Sequence, residues 1–493
     1  MANELEQYIN TTIAGGDANS KKLAQITAPT LRNGEENIKI LRSGMNGLTA
    51  FNFPQTHNVI VHSIGADSSI DSAKNSELYG KSLIERLYSS RYPSSIPQGL
   101  ANVIDASESN NEKIALLAEG MVSEANKHQL KIVNGELAIL GSRVNGFANC
   151  TGTLISIIPK GTLPIGIHNH NEINYAVFDH EGKPVFINSD GIGTKTQFYE
   201  QSQNYSQGIY DFLAMNLDDT VKIAANAKVI SGGLEFSGNI PLQIIMHKLR
   251  SVAGKMGVLG ILQPEDLTDR LGAYAVGMPT YNISGSVVSI IDEERINNLP
   301  RPQEGDSLIA IRSQTPNPRS NGISARRKLM ETLGQEWIKG TNHNYWHETE
   351  QGKEYLKYLA SPSTVFYPTF TELLNSGLAS SVYHMSGGAF NGKLARPLAK
   401  EGLFVSMTNI FPMSIIEEKL FNVSNSTLDA AYGVWPMGNE GFITTTRVND
   451  SISVLRKYGL EAIEVGKLVR KSEITGVEIH TPYNKIVQFS GRD

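Results

Sequence analysis

The 493-residue chain is predicted to be an α+β protein, with two repeated α+β sheet units in tandem followed by a C-terminal region of α/β type. Three observations predict this. The chain aligns with itself at an offset that drifts from about 126 to 133 residues. Within each copy, short β-forming runs alternate with stretches whose apolar residues recur at helical spacing. After residue 300 the repeat stops, and strand-like runs lead through glycine turns into helices.

Size and composition bound the problem first. There is room for about three domains of roughly 150 residues each, and 40% hydrophobic residues are ordinary for a packed core. The single cysteine, Cys150, excludes an internal disulfide framework and a cysteine-rich zinc site. A formal charge of −5 without a basic block argues against nucleic acid as the main partner. "MANELEQYIN" has neither a basic nor an apolar leader, and no run of about 18 apolar residues follows. The expectation is a cytoplasmic protein that works on small molecules and has no membrane partner.

The repeat sets "VIVHSIGADSS" over "VFINSDGIGTK", with Ser63 opposite Ser189 and Gly65 opposite Gly191. "ELYGKSLIERL" then lies over "QNYSQGIYDFL", "LKIVNGEL" (130–137) over "LGILQPED" (259–266), and "NCTGTLISII" (149–158) over "NISGSVVSII" (282–291). These matches predict an extension over 1–34, a first unit over 35–161, a second over 162–300 and a C-terminal region over 301–493. In "NEKIALLAEGMVSEANKH", Ile114, Leu117, Met121 and Ala125 mark one face of a helix. Beyond 300, "PRPQEGDSLIAIRSQ" reads as a linker, a turn at Gly305 and a strand. "NPRSNGISARRKLMETLG" reads as a glycine turn feeding a helix that stops near Gly334. "SSVYHMSGGAFNGKLARPL" reads as strand, paired glycines and helix, and "YGVWPMGNEGFITTTR" ends in a strand.

The chemistry concentrates in "VFINSDGIGTKTQ". Val185, Phe186 and Ile187 form a strand that turns through Gly191 and Gly193, leaving Asp190 and Lys195 at its end. Two glycines permit close backbone approach, an aspartate suits a hard divalent cation, and a lysine meets phosphate as a point charge. A glycine turn with two solvated charges fits the same residues. The G-x-x-x-x-G-K-[ST] spacing of a phosphate loop is absent. The first copy keeps the frame and loses the charges: Ile64 stands for Asp190 and Ser69 for Lys195.

Taken with "DFLAMNLDD" (211–219), "RSNGISARRKL" (319–329), "SPSTVFYP" (361–368), "HMSGGAFNGKLARPL" (384–398) and "YGVWPMGNEG" (432–441), this segment resembles the aminoimidazole ribonucleotide synthetase superfamily of ATP-dependent enzymes, nearest to its cyclo-ligase branch. The motifs stand in the family order over about 185–493. The resemblance implies an N-terminal sheet domain that pairs with a twin, here fused in front as an intrachain pseudo-dimer, so that the chain is a monomer or dimerises through another surface. It implies ATP and Mg²⁺ as cofactors and a ribonucleotide amidine as substrate, with an amide oxygen phosphorylated and an imidazole ring closed in purine biosynthesis. A non-catalytic nucleotide-binding regulator of the same fold is the rival reading.

By the same resemblance, Asp190 and Lys195 are catalytic, and Gly191, Gly193, Thr194, Lys195, Asp211 and Asn216 hold nucleotide. Asp190, Asp218 and Asp219 gather the metal, completed by Glu136 of "NGE" or Glu265 of "QPED". Ser320, Asn321, Gly322, Gly387 and Gly388 bind substrate. Ser320 to Gly322 also fit an ordinary helix cap, and Asp218 and Asp219 a polar helix end. Arg319, where many cyclo-ligases have histidine, and Gln263 to Asp266 depart from the family pattern.

Three other segments carry weaker signals. "HNHNE" (168–172) contains an H-x-H pair that fits a loop better than a metal site. His343, His347 and Glu348 lack the H-E-x-x-H order and read as a solvated helix, and "YGKS" (79–82) lacks the first glycine of a phosphate loop.

Overall fold

The computed structural model describes residues 14–32, 37–42, 48–267, 271, 278–320, 322–471 and 473–491. Asn321 and residues 1–13, 33 and 34 of the 1–34 extension therefore lie outside the described residues. Twelve strands build two six-stranded sheets: β1 (Ile38–Arg42), β2 (Leu48–Phe51), β3 (His57–Gly65), β4 (Ile96–Ala106), β5 (Lys131–Ile139), β6 (Ala148–Pro159), β7 (Gly166–His170), β8 (Ile173–Phe178), β9 (Val185–Gly191), β10 (Asn226–Ser237), β11 (Leu259–Asp266) and β12 (Thr280–Ile290). One sheet runs β5-β4-β6-β3-β8-β7 and the other β11-β10-β12-β9-β2-β1.

The register reproduces the sequence repeat at the glycine turns. Ile64 pairs with Gly152 in the first sheet, and Asp190 pairs with Gly285 in the second. At the parallel edge it corrects the alignment. Counted from Gly152 and Gly285, Asn102 matches Gly232, so Glu136 matches Gln263 and Glu265 matches Ala138. A bulge between Leu100 and Ala101 breaks the β4–β5 register, and a gap-free comparison of the two sequences passes over it.

The hairpins are exchanged between the sheets. The β1–β2 hairpin precedes β3 in the chain yet pairs with β9, whereas β7–β8 precedes β9 yet pairs with β3. The sheets face each other across one apolar layer that includes Val59, Val61, Ile155, Val185, Ile187, Val229 and Val288. These strands are buried on both faces, which is why they read as continuous apolar runs. Arg143 adds a tie between the units, its guanidinium reaching Glu200 at 2.9 and 2.6 Å.

Helices cover the outer faces. The expected helix is Asn111–Lys127, capped by the Asn110 side chain, with Ile114, Leu117, Met121 and Ala125 buried against the first sheet. On the second sheet, helix Gly208–Val221 packs into a core shared with the C-terminal region, where Phe212 and Leu217 join Met330, Phe366 and Phe370. That region holds β13 (Ser307–Ser313), β14 (Ser381–His384), β15 (Phe404–Met407), β16 (Gly441–Thr445), β17 (Leu460–Lys467), β18 (Gly476–His480) and β19 (Ile486–Phe489). An antiparallel sheet β14-β16-β13-β17 lies beside a small sheet β15-β18-β19.

Three local expectations change. The helix expected to end near Gly334 runs Ile323–Ile338, because Gly334 seats against Trp346, where a Cβ would lie 2.4 Å from the Trp346 Cβ. "HNH" forms the edge strand β7 rather than a loop, with His168 Nε2 at 2.8 Å from the Pro164 carbonyl and His170 against the Tyr92 ring. His343 lies outside any helix, and His347 sits in the short turn Trp346–Glu348. "YGKS" is interior to helix Ser76–Ser89. No helix among the described residues is long and apolar enough to cross a membrane.

Candidate functional site

Strand β9 ends at the glycine turn, and the side chains around it divide into an inward and an outward set. Lys195 belongs to the inward set. It is fully buried, and its ammonium donates to Asp211 Oδ1 at 2.8 Å. Asp211 also accepts from Ser320 at 2.6 Å, from Ser363 at 2.5 Å and from the Tyr199 hydroxyl. Although burial opposes it, Lys195 and these donors hold the Asp211 carboxyl below its usual range. The expected phosphate lysine and nucleotide-binding aspartate thus form a buried ion pair within the second unit, and Ser320 and Ser363 tie Asp211 to the C-terminal region.

Asp218 is inward too. Its Oδ1 accepts from the Phe366 and Tyr367 amides at 2.8 and 2.9 Å, and its Oδ2 lies 3.3 Å from Arg319. It caps helix Tyr367–Asn375 and leaves Asp219 to face the other way. Arg319 is buried as well, donating to the Met385 and Thr364 carbonyls, so this departure from the family pattern has a structural use. Gly322, at φ +56°, packs against Trp435 and opens no path to a ligand. Thr194 is bonded to Ser324 at 2.9 Å.

The outward set comes from three regions. Asp190 takes the Gly191 amide at 2.7 Å, and Asn216 reaches the Asp190 carbonyl at 3.3 Å. Asp219 meets Lys222 at 2.5 Å, His384 at 3.8 Å and Lys393 at 3.9 Å. Glu136, from β5 of the first sheet, faces both aspartates. Burial, and then the charges of Asp190 and Asp219, push its carboxyl well up, while Lys393 pulls it down. Burial and Asp219 likewise raise Asp190 to about 7. Burial also works against an ionised Asp219, yet Lys222 and Lys393 hold it well below the usual carboxylate range. Behind them, Asn282 Nδ2 donates to Asp105 at 2.7 Å and to Glu235 at 3.2 Å, and burial raises these acids to about 6 and about 8.

Lys393 and His384 flank the glycine pair. Gly388 has φ +82°, and a Cβ on Gly387 would meet no atom within 4 Å, so this turn is open where Gly322 is closed. His384 is buried with Nε2 at 2.9 Å from Ser386 Oγ, and burial keeps its ring neutral.

The structure thus brings together Asp190, Gly191, Asn216, Asp219, Glu136, Gly387 and Gly388. It does not bring Lys195, Asp211, Asp218, Ser320 or Gly322 to the same surface, and it sends Glu265 to the other glycine turn, where Glu265 Oε1 accepts from the Gly65 amide at 2.6 Å. Reasoning from the motifs passed over Lys393, His384 and Lys222, although the first two lie inside a quoted motif. Asp105 is missed as well, and its register match with Glu235 is the signal that finds it.

The charge of Asp190 raises the pKa of Glu136, Lys393 offsets part of the rise in both, and carboxylate oxygens are ligands a magnesium ion accepts. Among the described residues no three His, Cys, Asp or Glu side chains converge as a ready-made cage. Such a cation would complete its shell with phosphate oxygens and water, as Mg²⁺ ordinarily does.

No family model matches the chain. It is similar to phosphoribosylformylglycinamidine cyclo-ligases: that of Clostridium perfringens at 26% identity over 290 residues, covering 58% of this chain and 81% of the relative. That of Brevibacillus brevis matches at 26% over 307 residues, covering 60% and 84%, and that of Prochlorococcus marinus at 22% over 307 residues, covering 59% and 82%. These relatives belong to the branch of the aminoimidazole ribonucleotide synthetase superfamily that the motifs resemble. Among solved structures, Escherichia coli HypE, a hydrogenase maturation protein, aligns at 13% identity and TM-score 0.39 over 62% of this chain and 85% of its own.

Proposed function

We propose that the chain is an ATP-dependent enzyme of the cyclo-ligase type, which phosphorylates an amide oxygen of a ribonucleotide amidine and closes an imidazole ring in purine biosynthesis. The observation that carries the proposal is the meeting of Asp190 and Asp219 with Glu136 from the facing sheet and Lys393 from the glycine-paired turn. The cyclo-ligase relatives supply the reaction type.

Phosphoryl transfer asks for charge neutralisation and in-line positioning more than for a covalent nucleophile. Asp190 and Glu136 would hold Mg²⁺, with phosphate oxygens and water completing its shell, and the bound ion would neutralise charge on the phosphates. Lys393 lies over the same oxygens as a point charge, and the Gly387–Gly388 turn lets backbone approach the phosphates. The amide oxygen attacks the γ-phosphorus as the bond to ADP breaks. The neighbouring amine nitrogen then attacks the activated carbon, phosphate leaves, and the nitrogen loses a proton as the ring closes.

The test is release of ADP and phosphate by purified protein given ATP, Mg²⁺ and formylglycinamidine ribonucleotide. The expected outcome is release that depends on the ribonucleotide and is lost in Asp190→Asn. ATP binding with no turnover on any formyl-amidine substrate would instead favour the regulator. Lys195→Ala is unsuitable as the control, because it strikes a buried ion pair rather than the site.

A further inference from the structure

The two glycine turns occupy equivalent positions in matching sheets, and a nucleotide site at Asp190 raises the question of a second one at Ile64. Resting on that nucleotide reading, we infer that the chain offers one nucleotide site, not two, and that Glu265 is a built-in carboxylate standing where the first glycine turn would otherwise take a phosphate oxygen.

Three observations converge. The first is the fit of Glu265 to the turn. Its Oε1 accepts from the Gly65 amide at 2.6 Å, and a Cβ at Gly65 would lie 2.5 Å from its Oε2. Arg86 closes the arrangement, donating to the Gly65 and Ala66 carbonyls at 2.7 and 2.8 Å and lying 3.5 Å from Glu265. An acidic oxygen on a backbone amide, balanced by a guanidinium, is the arrangement by which proteins hold phosphate, here supplied by the chain itself.

The second is the reciprocal residue. The register places Ala138 opposite Glu265, so the position that fills the first turn carries a methyl group at the second. The third is the loss of the acids. Ile64 replaces Asp190 and Gln263 replaces Glu136. Gln263 is also occupied, accepting from the Asn174 amide and donating to the Glu172 carbonyl at 3.1 Å each.

The test has two arms. Equilibrium dialysis with a non-hydrolysable ATP analogue and Mg²⁺ is expected to give one nucleotide per wild-type chain and none for Asp190→Asn. Two per chain, or one retained by Asp190→Asn, would overturn the inference. The second arm needs no nucleotide and compares melting temperatures with and without inorganic phosphate. Glu265→Ala frees the Gly65 amide and is expected to gain about 2 °C more from phosphate than the wild type, while Glu265→Gln, which keeps the acceptor, follows the wild type. Equal gains in Glu265→Ala and wild type would remove Glu265 from the role. A wild type that retains no nucleotide would sink the enzymatic reading, and the phosphate comparison would still decide what Glu265 does.

Discussion

At the ends of β3 and β9 one backbone frame carries opposite contents. Both strands reach a glycine in the same register, Gly65 and Gly191, and both sit at the seam between the facing sheets. Around Gly191 the acids Asp190, Asp219 and Glu136 crowd until they raise or oppose one another, an arrangement that is costly without a cation. At Gly65 the Glu265 carboxylate is matched internally, by Arg86 and the Gly65 amide. The difference teaches that binding capacity lies in what a fold leaves unsatisfied: on the proposed reading the Gly191 turn takes a ligand, while the Gly65 turn is filled by Glu265.

The sharpest break of this comparison is a matched pair of substitutions at the strand ends. On the proposed reading, Asp190→Asn is expected to lower ATP turnover by about 10³-fold, since it removes a carboxylate that would bind the metal, whereas Ile64→Asn leaves turnover within about 2-fold. A steady-state assay that found both variants equally impaired would erase the asymmetry. Next in size is stability. Lys195→Ala strands the Asp211 charge in the interior and should cost about 3–5 kcal/mol in urea unfolding, while Ser69→Ala at the matching exposed position costs under about 0.5 kcal/mol.

A smaller effect separates the two glutamates. Glu136→Gln should reduce turnover about 10–100-fold and Glu265→Gln less than about 3-fold, because only Glu136 faces Asp190 and Asp219. The reverse order would place the site on the wrong turn. The smallest effect is a pH slope. Burial raises Glu235 from about 4.5 to about 8, so between those values the unfolded chain ionises this group while the fold keeps it protonated. Stability therefore falls as pH climbs through that window, and Glu235→Gln should flatten the decline in urea titrations at pH 5 and pH 8. A slope unchanged in the variant would assign it to other groups.

Much of the proposed site was legible in the sequence, and unevenly so. The glycine turns, Asp190, Asp219, Glu136 and the Gly387–Gly388 pair follow from motif chemistry and from the repeat, which records local geometry. Lys195, Asp211 and Asp218 misled because a charged residue beside a glycine turn reads the same whether it points to a ligand or into a core. Which way it points depends on Ser320, Ser363 and Arg319, more than 100 residues away. The match of Glu136 to Glu265 failed for a related reason, since a bulge in β4–β5 shifts the pairing without leaving a gap in the comparison.

The sequence by itself determined two α+β units in tandem, the helix over Asn111–Lys127, and the loss of charge at Ile64 and Ser69. These rest on periodicity and side-chain identity, which act within a few residues. Only the tertiary structure decided that each hairpin completes the other unit's sheet, that Glu136 crosses the seam to Asp190, and that Glu265 fills the first turn. Those outcomes depend on which surfaces bury against each other, and burial is a property of residues brought together from distant parts of the chain.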